Sequence, residues 1–198
     1  MPEKMPLEFI KKQGGYKSKK AVFFAEAYEW IGIVAIVLAV FVLFFSFVFR
    51  EVDVDGNSML NTLHSGDRLI IFNIGYEPKC GDIVVIYEKK LNKPIVKRVI
   101  AVGGQTVNID YTAHRVFVDG VLQNEPFIKE PTAFMGEMPI VYMPAKVPRG
   151  CVFVMGDNRN RSKDSRSSEI GMVNTKYILG KALLRYFPVQ DIKLLSSS

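Results

Sequence analysis

Between Trp30 and Phe49 the chain reads WIGIVAIVLAVFVLFFSFVF, an apolar run that no charge interrupts and in which only Gly32 and Ser46 are mild breaks. At ~1.5 Å per residue such a run makes a helix about 30 Å long, the thickness of a bilayer's hydrocarbon core. The pattern predicts a membrane-spanning helix over 30–49. A cleavable signal sequence fits less well, because its apolar stretch is shorter, roughly 7–15 residues, and follows a shorter leader.

Past Arg50 the hydrophobic pattern changes. DRLIIFNI, GDIVVIYE, KPIVKRVIAV, HRVFVDGVLQ and GCVFVMGD are short, rich in Val, Ile and Phe, and bounded by glycine or proline, which is how strands read. Asp119-Gly120 in the fourth run predicts a type I′ hairpin. A weak helical period runs from Ser167 to Tyr177, and the proline- and methionine-dotted segment from Pro126 to Pro148 predicts an extended loop or small insertion. The expected fold is mainly β: an antiparallel β-sheet domain over 50–198, preceded by a basic leader over 1–29 and one N-terminal transmembrane helix over 30–49.

Charge gives this layout a direction. Lys11, Lys12, Lys17, Lys19 and Lys20 precede the apolar run, whereas Arg50 on the far side is followed by Glu51, Asp53 and Asp55. Lysine excess marks the cytoplasmic flank, so the amino terminus is expected inside and the β domain outside, anchored in a membrane by a single pass. The net charge of +6 is then partly a topology signal. The leader reads as a disordered or frayed segment near anionic headgroups, not a nucleic-acid patch, so the lipid bilayer is an expected partner and nucleic acid is not. Cys80 and Cys151 lie on the side that permits disulfides, without CxxC or histidine spacing for a metal; their pairing stays open.

Candidate chemistry begins in DGNSMLNTLHSGD, Asp55 to Asp67, where Ser58 sits in a glycine-flanked turn. The segment lacks the closing glycine of a nucleophile elbow, which argues against an α/β-hydrolase. A serine nucleophile needs a base, and neither His64 nor His114 has the surroundings of one. Lys97 in KPIVKRVIAV does, lying among Ile95, Val96, Val99 and Ile100. Most strand lysines are solvated edge residues, but an apolar setting disfavours the charged form. Lowering its pKa from ~10.4 to about 8 takes roughly 3 kcal/mol of desolvation. A third segment, GDNRNRSKDSR from Gly156 to Arg166, follows a strand and is dense in side-chain donors and acceptors.

Together GNSMLNTL, GDIVV, KRVIAVGG and GDNRNRSKDSR, in this order behind an apolar anchor, resemble the sequence boxes of the type I signal peptidases, membrane-bound Ser-Lys serine proteases. The resemblance implies a catalytic domain of the signal peptidase/LexA-like type, anchored in a bacterial cytoplasmic membrane, that removes signal peptides from exported preproteins after small residues in A-x-A-like sites. It implies Ser58 as nucleophile, Lys97 as general base, and Ser162 as the hydroxyl that orients the lysine amine. Arg98, Asp157, Asn158, Asp164 and Arg166 are the implied scaffold. Val54, Gly56, Met59, Leu63, Leu69, Val84 and Val96 are implied around the substrate, with Val52 to Gly56 and Pro94 to Val96 clasping it as an added strand. No metal or cofactor is implied.

Departures from the family pattern are Gly56 in place of a serine donor to the oxyanion, Asn61 in place of proline, and Gly103, Gly104 and Gln105 where Pro-Gly-Asp is common. Two alternatives share much of this layout: a repressor-type Ser-Lys autoprotease, against which the anchor and the lack of a DNA-binding helix pair speak, and an inactive or specialised membrane-tethered β module.

Overall fold

The computed structural model describes residues 19–89, 92–134 and 141–196. The chain divides into two compact units, Met1–Ser46 and Phe47–Ser198. Helix α1 (Lys19–Val48) contains an apolar segment, Ala27–Val48, with mean hydropathy 3.1. Helix therefore starts well before Trp30 and absorbs Lys19 and Lys20, which the sequence placed in a frayed leader. The cause is local: KKAVFFAEAYE holds no glycine or proline, so nothing in it stops a helix. Lys11, Lys12 and Lys17 lie outside the described residues. The Ser46 hydroxyl, a polar group in an apolar run, donates to Val42 O at 2.8 Å.

The second unit is built of antiparallel strands. One sheet runs β1 (Phe49–Asp53), β2 (Arg68–Phe72), β11 (Ile178–Phe187), β3 (Ile83–Glu88), β4 (Lys93–Val102), β9 (Cys151–Met155) and β10 (Val173–Asn174), with β12 (Lys193–Leu194) paired to β11. A smaller sheet runs β7 (Val121–Leu122), β6 (Arg115–Val118), β5 (Thr106–Asp110) and β8 (Ala145–Lys146). All the predicted strand runs are present, and the mainly β reading holds. Asp119 and Gly120 both take positive φ, 51° and 79°, between the paired residues Val118 and Val121, as a type I′ turn requires.

Two expectations are corrected. Ser167 to Tyr177 is turn, the short strand β10 and a single 3-10 turn over Thr175–Tyr177; Gly171 at φ 57° breaks any helical run. The stretch from Pro126 to Pro148 is not all loop, since β8 pairs with β5. Residues 135–140 of it lie outside the described residues.

Strand β4 positions the site. Val96 to Ala101 are all buried, so the strand is covered on both faces and Lys97 and Arg98 are inside the protein. The register with β9 slips between Val99 and Ala101, and this bulge turns Ile100 and Ala101 toward the core of the second sheet, with Val107, Val116 and Phe153. The glycines at the end of β4 then have a purpose. A Cβ on Gly103 would lie 2.9 Å from Pro148 O, and Gly104 sits at φ 97°. Gln105 closes the turn with its own side chain, Oε1 accepting from Val102 N–H at 2.9 Å and Nε2 donating to Asp119 at 3.1 Å.

Candidate active site

Ser58 lies in the turn that leaves β1. Leu63 N–H donates to Met59 O at 2.9 Å, giving the turn one helical bond. Met59 and Leu63 are buried with Val54, Leu69 and Val96 in one cluster. The apolar side chains on either side of the serine therefore anchor the turn while Ser58 itself is half-buried. Lys97 reaches it from β4: Nζ is 2.8 Å from Ser58 Oγ and donates to Val96 O at 3.0 Å.

Lys97 is 3% exposed. Burial, the largest influence, pulls its amine down to about 8; Asp164 and Asp157 pull upward against it, and Arg166 and Lys93 add to the lowering. An amine of which about a tenth is neutral at pH 7, and most at pH 9, is thereby in contact with a hydroxyl.

The charges around the pair are tied up. Asp157 receives Arg98 through Nε and Nη2, both at 2.8 Å, and the Thr62 hydroxyl at 2.5 Å. Asp164 receives Arg166 through Nε at 2.8 Å and Nη2 at 2.9 Å, and Gly156 N–H at 3.0 Å. Burial opposes charge on Asp164, yet the Arg166 guanidinium and the Gly156 N–H hold its carboxyl below the usual carboxylate range. Asn158 clamps the turn that carries Ser58, N–H to Ser58 O at 3.0 Å and Nδ2 to Asn57 O at 2.9 Å. So Ser58, Lys97, Arg98, Asp157, Asn158, Asp164 and Arg166 come together from three distant stretches of chain.

Some expected roles are redrawn by the geometry. Ser162 is buried near Asp164, whose carboxyl it helps to hold low, and in this arrangement the lysine amine donates to Val96 O and meets Ser58 Oγ. Val84 faces away from the other apolar site residues: it packs with Ile86, Val99 and Val154, while Ile83 and Val85 join Val54, Met59, Leu63, Leu69 and Val96. Alternation along β3 is the reason. Gly56 is exposed at φ 94° with open space where a side chain would stand. The histidines stay apart from the serine: His64 is exposed, and His114 Nδ1 is 2.8 Å from Thr132 O. Both cysteines are free thiols. Among the described residues no group of His, Cys, Asp and Glu gathers as a metal site.

Other residues emerged only in three dimensions. A Cβ on Gly156 would overlap Ser162 Oγ and the Ser58 carbonyl oxygen, so glycine here is what lets the last box meet the nucleophile turn. Arg159 is fully buried and donates to Glu125 at 2.9 and 2.5 Å and to Thr132 Oγ1 at 3.0 Å. Phe127 lies 3.8 Å from the Arg98 guanidinium carbon. Gly156 and Arg159 stand in a motif already singled out; Glu125 and Phe127 stand in NEPF, which carries no signal of its own.

Known proteins resemble this chain in sequence over most of its length. The family described as signal peptidase, peptidase S26, matches residues 27–187. Signal peptidase I of Bacillus licheniformis is 35% identical over 84% of this chain and 91% of its own. A probable signal peptidase I-1 of Synechocystis is 40% identical over 78% and 79%. Among solved structures, a signal peptidase I from Enterococcus faecalis aligns with 54% of this chain and 97% of its own at 25% identity and a TM-score of 0.45. The chain belongs to the signal peptidase family, peptidase S26, and is a peptidase with an N-terminal apolar helix and a mainly antiparallel β fold.

Proposed function

We propose that the protein is a membrane-tethered serine endopeptidase that cleaves signal peptides from exported preproteins, with Ser58 as nucleophile and Lys97 as general base. The observation that carries this reading is the contact of Lys97 Nζ with Ser58 Oγ at 2.8 Å, in a setting that draws the amine to about 8. The neutral amine accepts the hydroxyl proton as Oγ attacks the scissile carbonyl, and the ammonium so formed protonates the leaving amine. Water activated by the same lysine then releases the acyl group. The Ser58 backbone N–H receives the oxyanion, an interaction of a type typically worth a few kcal/mol. Gly56 brings no side-chain donor to it.

The apolar cluster of Val54, Met59, Leu63, Ile83, Val85 and Val96 beside the nucleophile supports a preference for small residues before the cut. The leader and α1 support an amino terminus in the cytoplasm and the peptidase domain on the far side of the bilayer. The test is cleavage of a preprotein in detergent, read by mass spectrometry. Wild type should cut at one site, Ser58→Ala should bind without cutting, and Lys97→Arg should be inactive because guanidinium stays protonated. His64→Ala and His114→Ala should keep most activity. Normal cleavage by Lys97→Arg together with loss in a histidine variant would overturn the dyad.

A further inference from the structure

Two stretches of chain, one leading to Lys97 and one to Ser58, bound the space before the dyad as the walls of a slot. The outer edge of β4 is unpaired at Lys93 to Lys97, because β9 pairs only from Arg98 onward while β3 occupies the inner edge. Opposite it runs the chain after β1, whose Val54 is bonded to the 66–67 turn on its inner side through Val54 N–H to Asp67 O and Gly66 N–H to Val54 O. Three strands separate β1 from β4 along the sheet, yet Val54 and Val96 share one apolar cluster. The two walls are thus neighbours that their ladder hydrogen bonds do not join.

One contact crosses between them above that cluster. Lys93 Nζ lies 3.1 Å from Asp55 Oδ2, and the two side chains are 51% and 79% exposed. An ion pair that open to water stabilises a fold by little, which removes the ordinary reason for it. Its position gives another. An extended chain adding to the free edge of β4 occupies the space that this pair spans.

We infer that Asp55 and Lys93 form an electrostatic strap across the slot, which an extended, uncharged polypeptide must part to reach Ser58. The inference rests on the peptidase reading proposed above, with the substrate lying as an added strand between Val52 to Gly56 and Pro94 to Val96. It makes the channel selective by a cost in binding, not in chemistry. Breaking an exposed pair costs at most ~1 kcal/mol, so removing it lowers KM by up to about fivefold. Salt should do the same to the wild type, since the screening length falls to ~3 Å at about 1 M.

The experiment uses the full-length chain in detergent and a peptide substrate with no charge upstream of the cut. It is run at about pH 9, where Lys97 is mostly neutral. Asp55→Asn and Lys93→Gln should each lower KM, with kcat moving less than KM, and should remove the decrease of KM with salt. The reversed pair, Asp55→Lys with Lys93→Asp, should restore both the wild-type KM and its salt response, which a merely structural role or a shift in Lys97 does not predict. An unchanged KM in both single variants, an effect confined to kcat, or no recovery in the reversed pair overturns the strap. Undiminished cleavage by Ser58→Ala instead removes the underlying site reading, so the two failures are told apart.

Discussion

Because Lys97 loses its proton at about 8 in the folded protein and at ~10.4 in the unfolded chain, the unfolded state binds more protons between those values, and stability rises with pH across that window. Below about 8 the whole penalty applies, on the order of 3 kcal/mol. Replacing the lysine by an apolar side chain of similar length removes it, together with two hydrogen bonds worth ~0.5–1.5 kcal/mol each. Lys97→Met should therefore abolish cleavage and stabilise the protein at neutral pH by up to about 2 kcal/mol, the gain fading as pH climbs toward ~10.4. Urea unfolding at several pH values checks this; a variant less stable than wild type at neutral pH would contradict it. The same titration sets the activity profile. Wild-type kcat/KM should rise with pH through about 8, because only the neutral amine is a base.

Strands and turns bring these residues within reach of one another, and glycine marks where they approach. Continuing the β4–β9 register one step past the Arg98–Met155 pair brings Gly156 level with Lys97. Any side chain at that point pushes the Ser58 turn and Ser162 away from the lysine. Gly156→Ala should cut kcat by about 10²-fold or more, since displacements on the order of 1 Å carry such costs. Gly104→Ala is the contrasting control. It forces alanine into φ 97° in a turn with open space around it, so it should lose ~1–2 kcal/mol of stability while sparing cleavage. Kinetics and melting on the two variants separate the roles; equal activity in both would show that the approach at Gly156 does not matter.

At the scale of the whole molecule, an apolar helix leads directly into the first strand of the peptidase domain, Val48 into Phe49. With the lysine-rich flank inside, protease added to right-side-out vesicles should digest the domain and spare an epitope placed at the amino terminus. Digestion of that epitope with protection of the domain would reverse the orientation. Charge reversal of the leader lysines offers a second reading of the same question, since the inside flank is chosen by lysine and arginine excess.

The apolar helix, the strands, the hairpin at Asp119-Gly120 and the motifs around Ser58, Lys97 and Asp164 were legible in the sequence, because each rests on a local property: an apolar run about as long as a bilayer's hydrocarbon core is thick, period-two alternation, positive φ, or residue types at short spacing. Local reading also had limits within those motifs. It grouped Val84 with Val54 and Leu69, when the register of β3 puts Ile83 and Val85 with those two and Val84 opposite Lys97. Tertiary structure alone decided that Lys97 is buried to 3% exposure, that Glu125 caps Arg159 and Phe127 covers Arg98, and that Asp55 meets Lys93. Those facts depend on packing between stretches far apart in the chain, where desolvation and charge pairing are properties of the assembled fold and no single segment carries them.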